Sequence, residues 1–285
     1  MKHILVIPVY NDSRSLNKLI ANLNVAFKKN KKIEHEILVI NDNSSEKIKI
    51  NTKNLKTIKK LKILTLKNNL GSQKAIAVGL KYLKSKKKNF LITVMDGDGE
   101  DDPNQVLKMI DNANQNPKHV ITSNRKRREE SLIIVSLYKL HLIITFLFTL
   151  KWISFGNFST FHKDNLKNLL SNNYSWYAHS SSVLKNCNIM RLYSKRKKRY
   201  FDKSKLGLIS LIEHSLRVNV VFYNNIFLMS LVYLFSIFFL FENDIKIILA
   251  SGIIFFNLII LIIKVKHRIK NMSSILKFVK KIDSV

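Results

Sequence analysis

The sequence predicts an α/β fold built on an open, doubly wound, mostly parallel sheet, followed by interface helices and a C-terminal two-helix transmembrane hairpin. Two observations carry this prediction. Strand-like and helix-like segments alternate over residues 1–125, and two long uncharged runs follow at residues 218–241 and 247–263. Alternation of this kind is typical of parallel sheets, whose ligands bind at the carboxyl ends of the strands.

The predicted strands are short apolar runs, as expected for strands that are buried on both faces. They cover residues 3–9, 36–40, 61–66, 89–95 and 119–123. Helices are predicted at residues 13–28, 72–84 and 103–114, where apolar residues recur at helical spacing. Polar turns follow the strands that end near Val9, Ile40 and Met95. These turns are therefore expected at one edge of the sheet, where a ligand would bind.

The chain is strongly basic, because 49 Lys and Arg residues stand against 19 Asp and Glu residues, for a formal net charge of +30. An excess of this size favours an anionic partner: a phosphorylated substrate, an acidic membrane surface or nucleic acid. A compositional drift toward lysine is the alternative explanation. The single cysteine, Cys187, excludes an internal disulfide framework and a cysteine-based zinc site.

Both uncharged C-terminal runs are close to the roughly 20 residues that cross a bilayer. Their outer flanks are basic, with Arg217 on one side and four Lys or Arg residues within 264–270 on the other. The positive-inside rule then predicts a multi-pass protein of the cell (inner) membrane with both termini in the cytoplasm. Residues 132–150 are also apolar, but Lys139 and His141 interrupt them. A helix lying in the membrane interface is favoured there over a buried core helix.

Five acidic residues are concentrated in the turn after the fourth predicted strand. They are Asp96, Asp98, Glu100, Asp101 and Asp102. Carboxylates at positions i and i+2 point roughly the same way, so Asp96 and Asp98 suit a divalent cation such as Mg²⁺ or Mn²⁺. A solvated acidic turn is the alternative. Asp101 or Asp102, just before Pro103, is expected to cap the next helix.

Four polar loops occur in a fixed order along the chain. They are Pro-Val-Tyr-Asn-Asp at 8–12, Asn-Asp-Asn-Ser-Ser at 41–45, Asn-Leu-Gly at 69–71 and Asp-Gly-Asp at 96–98. Their order and spacing resemble the nucleotide-sugar-binding domain of the family 2 glycosyltransferases, which has the GT-A fold. An Arg-x-x-Arg element (Arg125 and Arg128) and Gly-Asn-Phe at 156–158 continue the resemblance. Residues 199–205 resemble an element of the polyprenyl- and dolichyl-phosphate branch of that family.

The resemblance implies four regions. Residues 1–131 would form the nucleotide-sugar-binding core, and residues 132–217 would hold the interface helix and an acceptor-side segment. Residues 218–265 would form the transmembrane hairpin, and residues 266–285 a basic cytoplasmic tail. The catalytic domain is then expected on the cytoplasmic face of the membrane.

Roles for individual residues also follow from the resemblance. Nucleotide-sugar binding falls to Pro8, Tyr10, Asp12, Asp42, Asn69, Gly71 and Asp96, and the Mg²⁺ or Mn²⁺ site to Asp98 and Asp96. Catalytic roles fall to Asp98, Glu100, Arg125 and Arg199. Binding of the acceptor or the diphosphate falls to Arg128, Arg199, Ser204 and Lys205. Arginine forks suit phosphate oxygens, and lysine supplies a point charge.

The chain departs from the family pattern at four positions. Asn41 replaces an aspartate, and Asn43 and Asp202 replace glycines. Glu100 stands where many members of the polyprenyl-phosphate branch have glutamine. Asparagine tolerates a left-handed turn conformation, so the loop at Asn43 is expected to keep its shape.

The implied activity is that of a membrane-bound, metal-dependent, inverting glycosyltransferase of cell-envelope polysaccharide synthesis. It would move a sugar from a UDP- or GDP-sugar to a polyprenyl-phosphate-type lipid. A hydroxyl of a lipid-linked or cell-surface glycan is the alternative acceptor. That acceptor requires a general base, for which Glu100, Asp101 and His179 are candidates. A structural hydrogen-bonding role is the simpler interpretation of His179.

A non-enzymatic basic module that binds membranes or nucleic acids is the weaker alternative. The ordered acidic loops argue against it, because without a metal they would repel phosphates. Nucleic acid is therefore not expected as a partner. The sequence leaves homo-oligomer formation open.

Overall fold

The computed structural model describes residues 1–30, 32–125, 132–194, 196–201 and 207–285. The chain forms two compact units. The first, called the sheet unit here, comprises Met1–Glu129, Phe155–Lys203 and Asn271–Val285. The second, called the helical unit, comprises Glu130–Ser154 and Ser204–Lys270. Each unit is thus assembled from segments that are separated in the sequence.

The sheet unit contains an eight-stranded sheet. Its strands are β1 (Lys2–Val9), β2 (Glu34–Asn41), β3 (Ile58–Leu66), β4 (Leu91–Val94), β5 (His119–Arg125), β6 (Phe155–His162), β7 (Asn188–Ser194) and β8 (Val279–Ser284). Their order across the sheet is β7-β5-β6-β4-β1-β2-β3-β8. Strands β6 and β8 run opposite to the others, which share one direction. The predicted α/β fold with a mostly parallel sheet is confirmed.

The helices of the described residues follow the same chain order. They are α1 (Ser13–Phe27), α2 (Ser72–Lys84), α3 (Pro103–Gln115), α4 (Leu132–Thr149), α5 (Asn165–Leu169), α6 (Tyr174–Tyr177), α7 (His179–Asn186), α8 (Leu208–Val220), α9 (Tyr223–Leu240) and α10 (Asn243–Lys266). A 3-10 helix (Met272–Phe278) precedes β8. Helices α4, α8, α9 and α10 make up the helical unit. The three helices predicted between the first strands correspond to α1, α2 and α3.

Helices cover both faces of the central strands. Alternate residues of a strand point to opposite faces, so neighbouring residues of β1 pack against different helices. Leu5 of β1 lies in one buried apolar cluster with Leu16 of α1. Val6 points the other way, toward α2, where a Cβ built at Gly79 would lie 3.1 Å from its Cγ1. The same Cβ would lie 2.8 Å from Cδ1 of Ile40. Glycine at this position therefore lets α2 pack closely on the sheet.

Three strands lie outside the predicted pattern: β6, β7 and β8. Strand β6 pairs antiparallel with both β4 and β5, so the fourth and fifth predicted strands are not neighbours. Strand β8 pairs with β3 at one edge of the sheet and carries Lys280 and Lys281. Lysines discourage further pairing at a sheet edge. They also interrupt the apolar pattern by which a strand is recognised in a sequence.

The strands that precede and follow α4 in the chain limit how this helix could meet a membrane. The chain reaches α4 from β5 and continues into β6, and Asn124 of β5 pairs with Phe155 of β6. Because both strands belong to one sheet, α4 cannot cross a bilayer as a single span. Large apolar side chains are exposed along α4: Leu137, Leu140, Ile143, Phe146 and Leu147.

Helices α9 and α10 are long and apolar enough to cross a membrane, with mean hydropathies of 1.7 and 2.6. Only 17% and 6% of their most apolar windows are buried. Within the helical unit, Asn257 of α10 donates a 2.7 Å hydrogen bond to Ser230 Oγ of α9. The ring of Phe148 on α4 contacts Tyr233 and Phe256. The two predicted C-terminal helices are confirmed as candidate membrane spans.

Two buried histidines lie side by side in the sheet unit. Nδ1 of His3 is 3.0 Å from Nδ1 of His35, and Nε2 of His3 is 2.8 Å from Thr93 Oγ1. The ring of Phe27 stacks on His35 at 3.7 Å. Burial lowers the pKa of His35 to about 4, and burial together with the charge of His35 lowers the pKa of His3. Both rings are therefore neutral in the folded protein near neutral pH.

We expect these histidines to make the sheet unit acid-labile. The unfolded chain binds protons at His35 near pH 6.5, whereas the folded chain does so only near pH 4. The free energy of unfolding should therefore fall as the pH drops between these values, by roughly 3 kcal/mol for His35 alone. Urea unfolding of the full chain in detergent, followed by Trp176 fluorescence across this range, measures the slope.

The test variant is His35→Gln, which should reduce the dependence of stability on pH. An unchanged slope in His35→Gln would contradict the assignment.

Candidate active site at the carboxyl edge of the sheet

The loops that follow β1, β2 and β4 meet at one edge of the sheet. The amide of Asp42 donates to the carbonyl of Val9 at 2.9 Å. The amide of Asn11 donates to Ser44 Oγ at 3.0 Å, and Asn11 Oδ1 accepts from the amide of Ser45 at 2.8 Å. A Cβ built at Gly97 would lie 3.0 Å from Val9 Cγ2, so the loop after β4 passes close to β1. The motifs at 8–12, 41–45 and 96–98 are thus neighbours.

Asparagine takes the left-handed conformation at two turns of this edge. Asn11 has a φ of 47° and Asn43 has a φ of 57°. Glycine usually fills such positions, and asparagine is among the residues that tolerate them best. The loop at Asn43 therefore has the left-handed turn expected from the sequence, although the family pattern has glycine there.

Asp42 fixes the loop that follows β3. Its two carboxylate oxygens accept hydrogen bonds from the amides of Leu70 and Gly71, both at 2.7 Å. The side chain of Asn69 also accepts from the amide of Gly71, at 3.1 Å. Asp42 is 2% exposed. Burial raises its pKa, and the two amides and Lys74 oppose that rise. In this arrangement Asp42 positions the 69–71 loop rather than facing solvent.

Asp96 is held from the neighbouring strand and helix. Its Oδ1 accepts a 2.9 Å hydrogen bond from Nδ2 of Asn157 in β6. Oδ1 of Asn157 accepts from Nε2 of Gln73 in α2 at 3.0 Å. Oε1 of Gln73 accepts from the amide of His179 at 2.7 Å. Asn157 and Gln73 have no predicted role, although Asn157 belongs to the Gly-Asn-Phe element noted at 156–158.

Arg199 joins two of the predicted acidic residues. Its Nη2 lies 2.6 Å from Oδ2 of Asp12, and its Nη1 lies 3.2 Å from Oδ2 of Asp98. The other oxygen of Asp12 caps α1 by accepting from the amide of Ser15 at 3.2 Å. The other oxygen of Asp98 accepts from the amide of Glu100 at 3.1 Å. Three predicted site residues that are far apart in the sequence are thus brought together.

The segment 196–201, called the basic segment here, lies alongside the acidic turn and contacts several of its residues. Arg196 forms an ion pair with Glu100, and Lys197 Nζ lies 3.0 Å from Asp102 Oδ1. The amide of Lys197 donates to the carbonyl of Glu100 at 2.8 Å, and a second main-chain bond joins Tyr200 to Asp98 at 3.1 Å. Basic side chains of this segment are therefore paired with acidic side chains of the turn.

Glycine at position 99 permits the close approach of the basic segment. Gly99 has a φ of +87°, and a Cβ there would lie 2.2 Å from the ring of Tyr200. The hydroxyl of Tyr200 accepts a 2.7 Å hydrogen bond from Nδ2 of Asn22. Any larger residue at 99 would be strained and would displace Tyr200.

The end of the acidic turn forms the start of α3, as predicted. Asp102 accepts from the amide of Asn104 at 3.0 Å, and Pro103 is the first helical residue. Burial raises the pKa of Asp102, but the hydrogen bonds from Asn104 and Lys197 outweigh it, so the net pKa is lowered. Asp101 is 7% exposed. Of the acidic residues in this turn, Asp102 thus caps α3, whereas Asp96 and Asp98 lie at the candidate site.

Of the residues near this edge, Tyr10 is open to ligands and His179 is not. Tyr10 is 43% exposed, whereas His179 is fully buried. Nε2 of His179 lies 2.9 Å from Ser159 Oγ, and burial lowers the pKa of His179 to about 4. His179 is therefore a neutral structural residue that no acceptor can reach in this conformation.

Several predicted site residues are not covered by the structure. Arg128, Ser204 and Lys205 lie outside the described residues, as does Asp202. Arg125 is described only as the last residue of β5. The positions of their side chains stay predictions.

The carboxylates at this edge suit a divalent cation whose remaining coordination positions are filled by waters and substrate phosphates. Within the described ranges, no group of three or more His, Cys, Asp or Glu side chains could hold a metal by itself. Mg²⁺ typically uses one or two carboxylates, retains waters and bridges to substrate phosphates. Asp98 and Asp96 supply carboxylates of that kind, so the residues present suit such a cation.

Comparison with known proteins identifies relatives of this chain. The model of "Glycosyl transferase family 2" matches residues 4–175. The uncharacterized glycosyltransferase YkcC of Bacillus subtilis is 27% identical over 132 residues, which cover 46% of this chain and 39% of that protein. An uncharacterized glycosyltransferase of Synechocystis is 28% identical over 130 residues, covering 45% of this chain and 39% of the relative. The chain thus spans about two fifths of the length of these relatives.

The fold also resembles a solved structure. Glucosyl-3-phosphoglycerate synthase from Mycobacterium tuberculosis, crystallised with Mn²⁺, UDP-glucose and phosphoglyceric acid, has a TM-score of 0.53 to this chain. The identity is 11%, and the alignment covers 79% of each chain. At that identity the likeness shows a shared fold.

We expect Asp42→Ala to destabilise the sheet unit. Removing the carboxylate leaves the amide of Leu70 without its acceptor and the amide of Gly71 with Asn69 alone, which costs about 2 kcal/mol of unfolding free energy. Urea unfolding followed by Trp176 fluorescence measures the loss. Asp111→Ala, an exposed aspartate on α3, is the matched control and should be close to neutral. Equal stabilities of the two variants would show that Asp42 does not hold the loop.

Proposed function

The chain belongs to glycosyl transferase family 2, and we propose that it moves a sugar from a UDP- or GDP-sugar to a polyprenyl-phosphate-type lipid. The observation that carries the proposal is the group of Asp12, Asp98 and Arg199 at the carboxyl edge of the sheet. In doubly wound sheets, ligands bind at this edge. A solved relative in fold holds UDP-glucose and Mn²⁺, which supports a nucleotide-sugar donor and a divalent cation.

The donor half of the proposed site combines an exposed aromatic ring, two carboxylates and a guanidinium. The ring of Tyr10 is open for stacking on a nucleotide base. When bound by Asp98 and Asp96, a divalent cation would offset the charge that develops on the leaving nucleoside diphosphate. Asn157 orients Asp96 through its 2.9 Å hydrogen bond. The guanidinium of Arg199 provides a planar fork that suits diphosphate oxygens.

Transfer then proceeds with inversion at the sugar. The acceptor oxygen attacks the anomeric carbon from the face opposite the diphosphate. The carbon–oxygen bond to the diphosphate breaks as the new bond forms, and the electron pair leaves with the nucleoside diphosphate. In the proposed reaction, the guanidinium of Arg199 would hold that leaving group.

The proposed acceptor is a phosphate because the candidate general bases near the site are either paired with arginines or buried. Glu100 is paired with Arg196, Asp98 is paired with Arg199, and His179 is buried. A phosphate acceptor brings an oxygen that is already anionic, so it needs little help from a general base. A glycan hydroxyl remains the second candidate, since Glu100 would become available if Arg196 moved away.

The membrane association is part of the proposal. Helices α9 and α10 have the length and hydropathy of membrane spans, and α4 exposes large apolar side chains. The basic flanks of the hairpin favour a catalytic domain on the cytoplasmic face of the cell membrane. A polyprenyl-phosphate acceptor would lie in that same membrane.

Transfer to lipid should depend on Asp98. We expect Asp98→Asn to lower the rate of sugar transfer by about 10²–10³-fold, because the ligand charge of the cation site is lost. The full chain in membranes is incubated with Mn²⁺, labelled UDP- or GDP-sugar and polyprenyl phosphate, and label in the extracted lipid is counted. Asp111→Asn, on the exposed side of α3, is the matched control and should keep full activity.

The acceptors are separated in the same assay. Labelled lipid from polyprenyl phosphate supports the first acceptor, and nucleotide release that occurs only with an added glycan supports the second. Failure to bind either nucleotide sugar would refute both.

Trp152 provides a test of membrane contact. The chain has two tryptophans, of which Trp152, close to the end of α4, is 44% exposed and Trp176 is 4% exposed. We expect emission from Trp176→Phe to be quenched by lipids that carry bromine near the headgroup, more than by bromine near the chain end. Aromatic residues of interface helices lie at that depth.

The complementary variant is Trp152→Phe, whose remaining Trp176 should be insensitive to brominated lipids. Unquenched emission from Trp176→Phe in every vesicle would place α4 away from the membrane.

A further inference from the structure

We propose that Arg199 acts as a built-in counter-cation of the metal site, so that a divalent cation binds together with the donor diphosphate and not ahead of it. This inference rests on the proposed function, because Asp98 is taken there as the main metal ligand. It adds an order of binding and assigns Arg199 a role in the donor-free protein.

The first observation is that Asp98 already has a cationic partner. The guanidinium of Arg199 contacts Asp98 at 3.2 Å and Asp12 at 2.6 Å. The three side chains are 21%, 18% and 13% exposed for Arg199, Asp98 and Asp12, so the group is largely screened from water. An ion pair that is partly removed from water is harder to break than one on the surface.

The second observation is that Arg199 has an unused donor. Its Nε is buried and has no hydrogen-bond partner among the described residues. A buried N–H without an acceptor is unfavourable. A diphosphate at the cation site would offer further acceptor oxygens to the guanidinium. In the donor-free protein, the hydrogen-bonding capacity of Arg199 is thus only partly used.

The basic segment that carries Arg199 is anchored independently of that residue. Tyr200 packs against Gly99 and accepts a hydrogen bond from Asn22, and Lys197 is paired with Asp102. The main chain on both sides of Arg199 is therefore held in place. Release of Asp98 needs only a change in the Arg199 side chain, and no release of the segment.

These contacts predict coupling between cation and nucleotide. A cation that binds alone must separate Arg199 from Asp98 and leave the guanidinium with Asp12 as its partner. A cation that arrives with a diphosphate gives the guanidinium new oxygens in exchange. The nucleotide therefore raises the affinity for the cation, and the cation must raise the affinity for the nucleotide by the same factor.

The experiment is a titration of the full chain in detergent with Mn²⁺, with and without UDP or GDP. Free Mn²⁺ is measured by its paramagnetic resonance signal, and bound nucleotide by equilibrium dialysis. For the unaltered chain, we expect weak Mn²⁺ binding alone and at least about tenfold tighter binding with the preferred nucleotide. Asp98→Asn should bind little Mn²⁺ in either case.

Arg199→Gln is the decisive variant. Without nucleotide it should bind Mn²⁺ about threefold or more tightly than the unaltered chain, because the competing cation is gone, and coupling to nucleotide should shrink. Lys197→Gln is the matched control, since it removes a neighbouring positive charge that pairs with Asp102 rather than Asp98. It should keep the coupling. Arg199→Lys retains the charge without the fork and should fall between.

Two results would overturn the inference. One is equal Mn²⁺ affinity with and without nucleotide in the unaltered chain. The other is unchanged donor-free Mn²⁺ affinity in both Arg199→Gln and Arg199→Lys. Either can occur while nucleotide still binds, which leaves the proposed function intact. Absence of nucleotide binding under every condition refutes the proposed function itself.

Discussion

Parallel pairing of β1 with β2 and with β4 is the constraint on which the candidate site depends. The register places Val9 opposite Asn41, so the loops after β1 and β2 leave the sheet together. The loop after β4 leaves at the same edge because β4 pairs with β1 in the same direction. This arrangement allows Asp12 and Asp98, from separate loops, to reach the single guanidinium of Arg199.

Features that depend on local sequence could be predicted. Buried strands appear as apolar runs, and α3 begins where Asp102 and Pro103 supply a cap and a compatible first residue. The two C-terminal helices were recognisable because an uncharged stretch of membrane length is rare in other settings. The resemblance assigns both Asp98 and Arg199 to one site, and the structure shows their side chains in contact; their roles stay predictions.

Features that depend on distant partners could not be predicted. The order of strands in the sheet puts β6 between β4 and β5, and no local pattern encodes that choice. Asn157 and Gln73 support Asp96 through a chain of amide hydrogen bonds, yet amides of this kind are common in the sequence and carry no spacing signal. The two carboxylate oxygens of Asp42 accept hydrogen bonds from backbone amides of a distant loop, which the resemblance to the family does not indicate. Such partners are decided by tertiary geometry.

The pairing of strand β8 limits how many times the helical hairpin can cross a membrane. The chain leaves the sheet unit after residue 203 and rejoins it at residue 271, and β8 then pairs with β3. One folded sheet cannot lie on both sides of a bilayer, so any crossings made between these points must be even in number. The sidedness of α9 and α10 is thus linked to strand pairing as well as to the charge of their flanks. A chain ending after α10 would keep both apolar helices and yet leave the edge of β3 open to pairing with other molecules.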